Sequence, residues 1–316
     1  MGVEVVGDLT HHCVDAVIGA DLLGRHPLEL SEHVGQGLLV GTRAVFTPHD
    51  HRNETRFALG DPADVVLVEP RGDGRGLTQL AVGRHGWRRY LLGTVLPVSD
   101  DKTTAYVALP DTKGGPGVLV LHSWWGLNAG TRSICDRLAS MGFVALAPDL
   151  FGGSTPSDQT EAETLLAEID PNLLVRDVRA AAEVLLRLPA TEGDHIGVVG
   201  MSMGGSMALW LSDRAPELVR ATVTFYGLQD LAFDQTTSAY LCHFAESDPF
   251  VDDDAATYLE AVLHLGDLDT EISVHRYPGT GHWFFEPGQS GFDAEAAEQA
   301  WARTAEFLAR NLGPGA

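Results

Sequence analysis

An α/β fold is expected of this 316-residue chain: a mostly parallel, doubly wound sheet with an additional β-rich extension at the N-terminus. After residue 100, short aliphatic runs alternate with longer helix-compatible runs, the order that builds strand–helix–strand units. Several of those short runs are β-branched or aliphatic without polar alternation, as strands buried on both faces require. Before residue 100 the texture changes, with β-type runs punctuated by Gly, Pro, Asp and Asn.

The extension contains four candidate strands, Gly37–Phe46, Val65–Glu69, Leu77–Val82 and Arg89–Leu96, and one short helix-like stretch, Val14–Leu23. A boundary near Pro97–Asp101 divides the chain into residues 1–99 and 100–316. In the second part strands are expected at Thr103–Leu109, Val118–His122, Val144–Ala147, Ile196–Gly200, Ala221–Tyr226, Tyr240–Ala245 and Ile272–Tyr277. Helices are expected between and after them, at Thr131–Met141, Pro171–Leu188, Met203–Ala215, Asp253–Leu265 and Ala294–Leu312. Leu173, Leu174, Val178, Ala181, Leu185 and Leu186 recur at helical spacing and mark one apolar face. The stretch Gly152–Asp170, with its acidic helical run, is a candidate flap.

Composition narrows the function classes. Hydrophobic residues make up 44% of the chain, enough for a sizeable core, and the formal net charge is -23. Such acidity argues against nucleic-acid or anionic-membrane partners, which need concentrated Lys and Arg. Cys13, Cys135 and Cys242 are scattered and odd in number, with neither a disulfide framework nor metal spacing. No run is long and apolar enough for a membrane span, and the N-terminus lacks a secretory signal pattern, so a reducing cytoplasm is the expected compartment. His49-Asp50-His51 is too short a pattern to define a metal site and reads as a polar loop; no metal or cofactor is expected.

Chemistry concentrates at Gly200-Met201-Ser202-Met203-Gly204. A strand-like run precedes it and a helix-like run follows, the layout of a nucleophile elbow. The flanking glycines admit close contact between strand and helix. A serine hydroxyl needs a base, and the base needs an acceptor that fixes its tautomer. In α/β-hydrolases these partners follow the serine in the order acid, then histidine, on loops after later strands. Asp248 follows the strand Tyr240–Ala245, and His282 follows Ile272–Tyr277. Glu246, Asp252, Asp253 and Asp254 compete with Asp248 for the acid, the last three also being candidate helix caps. Two backbone amides should hold the oxyanion: Met203, after the serine, and Trp124, after the first core strand.

Leu119–Asn128, Ala147–Phe151, the elbow, Glu246–Val251 and Gly279–His282 together resemble the dienelactone hydrolase family of α/β-hydrolases across about residues 100–312. The resemblance implies an α/β-hydrolase fold and cleavage of a carboxylic ester or lactone. It also carries departures. Ser202 stands where the founding enzymes have a cysteine, and Ser123 where they have a glutamate that helps activate it. Gly153 and Glu286 fall where they have arginines that clamp a substrate carboxylate. A glutamate there would repel that carboxylate, so the family's acyl chemistry carries over and its anionic substrate does not.

Ser123, Trp125, Phe151, Tyr226, Trp283 and Phe284 are the candidate substrate-binding residues, with Trp124 and Phe285 beside them. They read equally as a pocket for an apolar or aromatic small-molecule ester or lactone and as loop packing. Two other functions use the same chain: an acyltransferase or lactone-forming cyclase, and a non-catalytic binding protein. The N-terminal extension is the candidate surface for a homo-oligomer.

Overall fold

The structure is a computed structural model. It describes residues 103–112, 114–265 and 270–313, and the backbone of three further strands. The expected helix at Val14–Leu23, the strand at Gly37–Phe46 and the His49-Asp50-His51 loop lie outside the described residues.

Strands β1 (Val66–Pro70) and β2 (Leu77–Ala81) form an antiparallel pair with Val66 opposite Ala81. The main sheet has eight strands. They are β3 (Thr94–Pro97), β4 (Thr104–Ala108), β5 (Gly115–Leu121), β6 (Val144–Pro148), β7 (Thr191–Met201), β8 (Val219–Phe225), β9 (Ala239–Ser247) and β10 (Ile272–Gly281). Their order is β10-β9-β8-β7-β5-β6-β4-β3. The six strands from β5 to β10 run parallel, while β4 is antiparallel to both β6 and β3. This is the mostly parallel α/β-hydrolase sheet. Its first strand, β3, lies within 1–99, so the sheet begins upstream of the boundary read from composition.

Six helices are described: α1 (Ala129–Ser140), α2 (Gln159–Glu168), α3 (Pro171–Arg187), α4 (Met203–Arg214), α5 (Asp253–Leu265) and α6 (Ala294–Leu312). Their starts are written in the sequence. Asn128, Asp158, Asp170 and Asp293 cap α1, α2, α3 and α6 through side-chain oxygens that accept backbone N–H bonds. The acidic run of the expected flap is α2.

Side chains alternate across each strand, so the sheet presents two apolar faces. Val118 and Val120 of β5, Val199 and Met201 of β7, and Val223 and Phe225 of β8 pack with α1 and α6. Tyr240, Cys242 and Phe244 of β9 pack with Leu209 of α4 and Leu259 and Leu263 of α5 on the other. On α3 the buried stripe is Leu174, Val178, Ala181 and Leu185; Leu173 is exposed, one position off that face.

The tightest packing lies where α4 leaves β7. A Cβ on Gly204 would come within 2.2 Å of the Leu121 carbonyl oxygen and 2.6 Å of the His122 carbonyl oxygen. These are backbone atoms and cannot swing aside. We expect Gly204→Ala to lower unfolding stability by about 3 kcal/mol or more, at the upper end for an overpacked site. Urea denaturation measures it, and a loss below about 1 kcal/mol would show that α4 can shift freely.

Candidate active site

Ser202 links β7 to α4 with φ 50° and ψ −116°. Such a backbone costs a non-glycine residue about 1–3 kcal/mol. Its amide donates to the Phe225 carbonyl at 2.9 Å, which ties the turn to the end of β8. Among the described residues the other non-glycine residues at positive φ are Tyr226, Phe233 and Trp283. Two of these flank His282: ring centroids lie 4.5 Å apart for Tyr226 and 5.0 Å for Trp283. Backbone strain is therefore concentrated around one histidine.

His282 comes from the irregular end of β10, and Asp248 follows the last residue of β9. The Ser202 Oγ lies 2.9 Å from His282 Nε2, and His282 Nδ1 lies 2.6 Å from Asp248 Oδ2. A carboxylate only accepts, so the imidazole carries its proton on Nδ1 and donates it to Asp248. Nε2 is then the lone-pair nitrogen and accepts from the Ser202 hydroxyl. Asp248 is fixed independently, because its Oδ1 accepts the amides of Phe250 at 2.8 Å and Val251 at 3.1 Å. The Asp248 and His282 side chains are 1% and 4% exposed, so water scarcely competes for their bond.

The rival acids are engaged elsewhere. Glu246 accepts the Gly279 amide, Asp252 caps the start of α5, and Asp253 pairs with Arg276. Asp254 is exposed in the first turn of α5.

Met203 is the first residue of α4, and its amide has no intrahelical acceptor. The Trp124 amide has no protein acceptor among the described residues, unlike those of Trp125 and Gly126 beside it. A buried histidine that sequence reasoning missed braces this loop. His122 donates from Nδ1 to the Ser123 carbonyl at 2.6 Å and accepts the Leu150 amide at Nε2. Burial pulls its pKa below the ordinary histidine value, which keeps the neutral form this pattern requires. The signal available in the sequence was a histidine ending a core strand.

Glu286 departs most from expectation. It does not face a substrate site but sits enclosed in the protein, 6% exposed, against the protein's own hydroxyls. Its Oε2 accepts from the Ser123 hydroxyl at 2.6 Å and its Oε1 from the Tyr226 hydroxyl at 2.9 Å. Burial pushes its pKa up to about 7, against the pull of those two hydrogen bonds. The Tyr226 hydroxyl is in turn raised, by burial first and then by the Glu286 charge.

The candidate substrate residues separate into groups. Trp124, Trp125, Trp283 and Phe250 form one aromatic cluster, with ring centroids 5.4–5.7 Å apart. Phe151 packs edge-on against His122. Ser123 and Tyr226 are engaged with Glu286. Phe284, expected at the mouth, is a core residue, fully buried between Tyr226 and Tyr277. An open cavity of about 570 Å³ lies along α2, lined by Ser154, Asp158, Glu161 and Glu168 among others; neither Ser202 nor His282 lines it. Among the described residues no group of three or more His, Cys, Asp or Glu could hold a metal ion. No described helix is long and apolar enough to cross a membrane.

Residues 103–312 match the dienelactone hydrolase family. The chain is 31% identical over 221 residues to Protein usf of Aquifex pyrophilus, covering 67% of this chain and 94% of that protein. It is 31% identical over 217 residues to a putative carboxymethylenebutenolidase of Aquifex aeolicus, covering 66% and 93%. The fold is that of a putative dienelactone hydrolase from Klebsiella pneumoniae, with a TM-score of 0.61 at 21% identity, covering 69% of this chain and 97% of the other.

Glu286 makes stability depend on pH with a definite sign. Its folded pKa, about 7, lies above the ordinary value of 4.5. Its contribution is therefore fully present below about 4.5 and is lost as pH rises through about 7. Glu286→Gln cannot ionise. The stability of that variant relative to wild type should rise across this window by on the order of 3 kcal/mol. Denaturation at pH 4.5, 6 and 8 checks it; a difference independent of pH would show that the carboxyl does not ionise in a buried site.

Proposed function

The chain belongs to the dienelactone hydrolase family, and we propose that it is a hydrolase of carboxylic ester bonds that cleaves an uncharged ester or lactone through an acyl-enzyme on Ser202. The observation that carries this reading is the hydrogen-bonded chain from Ser202 through His282 to Asp248, with the serine held at a positive-φ elbow. Relatives named as putative carboxymethylenebutenolidases support the ester or lactone bond as its target.

In this mechanism Ser202 Oγ attacks the carbonyl carbon while its proton passes to His282 Nε2. Asp248 holds the imidazole and stabilises the imidazolium. The amides of Met203 and Trp124 receive the carbonyl oxygen as it becomes an oxyanion. The tetrahedral adduct expels the alcohol, whose oxygen takes the proton from His282, and leaves the acyl group on Ser202. A water molecule then gives a proton to His282 and attacks the acyl carbon. The adduct collapses to the free acid, and the proton returns to Ser202. For a lactone, the departing hydroxyl stays tethered to the acyl chain.

Two features favour an uncharged substrate. No Arg or Lys pairs with Glu286 among the described residues, and a carboxylate entering beside that buried anion would be repelled. Trp124, Trp125 and Trp283 also each keep a buried indole N–H without a protein acceptor. Such orphans cost about 1–3 kcal/mol each, and neutral donors of this kind match carbonyl and ring oxygens. The part of residues 1–99 upstream of β3 is proposed to be a β-rich module that mediates a homo-oligomer contact.

Ser202→Ala should reduce turnover of a short aryl ester by about 10⁴-fold or more and abolish fluorophosphonate labelling, as expected when a nucleophile is removed. Retention of both would refute the assignment. For the extension, light scattering should give a smaller assembly for a chain lacking residues 1–89 than for the full chain, and an unchanged mass would exclude the proposed contact.

A further inference from the structure

Among the buried ionisable groups that the mechanism above leaves unused, one touches both sides of the acyl site. Glu286 lies four residues after His282, on the turn that carries it. One of its oxygens holds the hydroxyl of Ser123, the residue before the proposed oxyanion donor Trp124. The other holds the hydroxyl of Tyr226, whose ring lies 4.5 Å from the His282 imidazole. The Trp125 amide also points at the Ser123 hydroxyl, at 3.4 Å, so both peptide units after Ser123 take their orientation from this place. Three loops, after β5, β8 and β10, therefore meet at one carboxylate.

We infer that Glu286 is a positioning residue for catalysis, whose two oxygens set the oxyanion loop through Ser123 and the seat of His282 through Tyr226. The inference rests on the proposed roles of Ser202, His282 and Trp124. Hydrogen-bond chemistry explains why the ionised form is the competent one. As a carboxylate it accepts from both hydroxyls at once. As a carboxylic acid it must donate from one oxygen, so either Ser123 or Tyr226 has to turn its own proton elsewhere. Neither hydroxyl has another side-chain acceptor among the described residues. Protonation thus unlocks one of the two walls.

The groups facing Glu286 do not supply a competing charge. Ser123 and Tyr226 bond to it directly. His122, next in the chain to Ser123, is buried and held neutral. His282 and Asp248 lie beyond the Tyr226 ring and are bonded to each other. Protonation of Glu286 therefore impairs the free enzyme on the acid side of its profile. On the acid side, log(kcat/KM) should rise more steeply with pH in the wild type than in a variant that lacks this carboxyl.

The test uses the full chain with a short uncharged aryl ester. Glu286→Gln should lower kcat roughly 10- to 100-fold with KM changed less than about threefold, since an orientation made for the transition state is lost. The acid limb of kcat/KM should become shallower than in the wild type, because the carboxyl at this place is gone. Ser123→Ala combined with Glu286→Gln should cost no more than Glu286→Gln alone, because both cut the same link. Tyr226→Phe, which keeps the ring on His282, should cost about 3- to 10-fold and guards against misfolding of the Gln variant. The inference is overturned if Glu286→Gln keeps kcat within about twofold and retains the wild-type slope of the acid limb, or if its loss lies wholly in KM. Ser202→Ala separates the two levels: turnover that survives there sinks the underlying mechanism, whereas a dead Ser202→Ala beside a normal Glu286→Gln sinks the positioning role alone.

Discussion

Everything at the site depends on one close approach, that of the first turn of α4 to the end of β5. Gly204 sits where any side chain would strike the Leu121 and His122 carbonyls, and Gly200 where a Cβ would lie 2.0 Å from the Gly204 oxygen. With strand and helix pressed together in this way, the residue between them has no room for an ordinary turn, and Ser202 takes φ 50°. The same contact brings the start of α4 against the loop that continues into Ser123 and Trp124. Serine and oxyanion loop are thus placed by one packing event. The local strain is sustained because the surrounding strands are buried on both faces.

Two carboxylates stand near the serine, and their surroundings give them different characters. Asp248 receives two backbone amides and an imidazole N–H, so its charge is spread over three donors. Glu286 receives two neutral hydroxyls in a fully enclosed place, and burial outweighs them. At Glu286, desolvation disfavours the charged form more than the two hydrogen bonds favour it. Asp248 is suited to hold a positive imidazolium, and Glu286 to change state near neutrality.

The sequence made the sheet and its elbow legible because both are local codes. Aliphatic runs without alternation, Asp and Asn caps, and glycines around one serine each carry their cause within a few residues. Seven strands from β4 onward and five helices fall where those codes put them, within a few residues at their ends. Asp248 and His282 could be chosen because each follows a strand on the edge where such sheets place their loops. What stayed hidden depends on contacts between distant segments. Glu286 reads as a charge at the substrate clamp until Ser123, 163 residues away, is seen to face it. Phe284 and Phe285 follow Trp283 in one aromatic run, and only the turn direction sends both into the core. His122 looks like the end of a strand, and its two bonds reach the following loop and Leu150.

The identity of the nucleophile explains how a buried carboxylate can serve as an anchor. A thiol has a pKa near 8.5, close enough to a raised carboxyl for a proton to pass between them. A carboxylate beside a cysteine is therefore drawn into activating it. A serine hydroxyl is far too weak an acid to exchange its proton with a group titrating near 7, so it relies on a base that acts only in the transition state. Glu286 is then free to bind hydroxyls. Its charge remains an electrostatic cost to a nearby oxyanion, and the cost grows with every lone pair left unengaged. Both of its oxygens accept hydrogen bonds from hydroxyls, which draws the charge towards Ser123 and Tyr226. On this reading Ser123 and Glu286 belong together: without the serine hydroxyl the carboxylate would be a buried anion facing the developing charge, and without the carboxylate the loop that carries Trp124 would lose its hold.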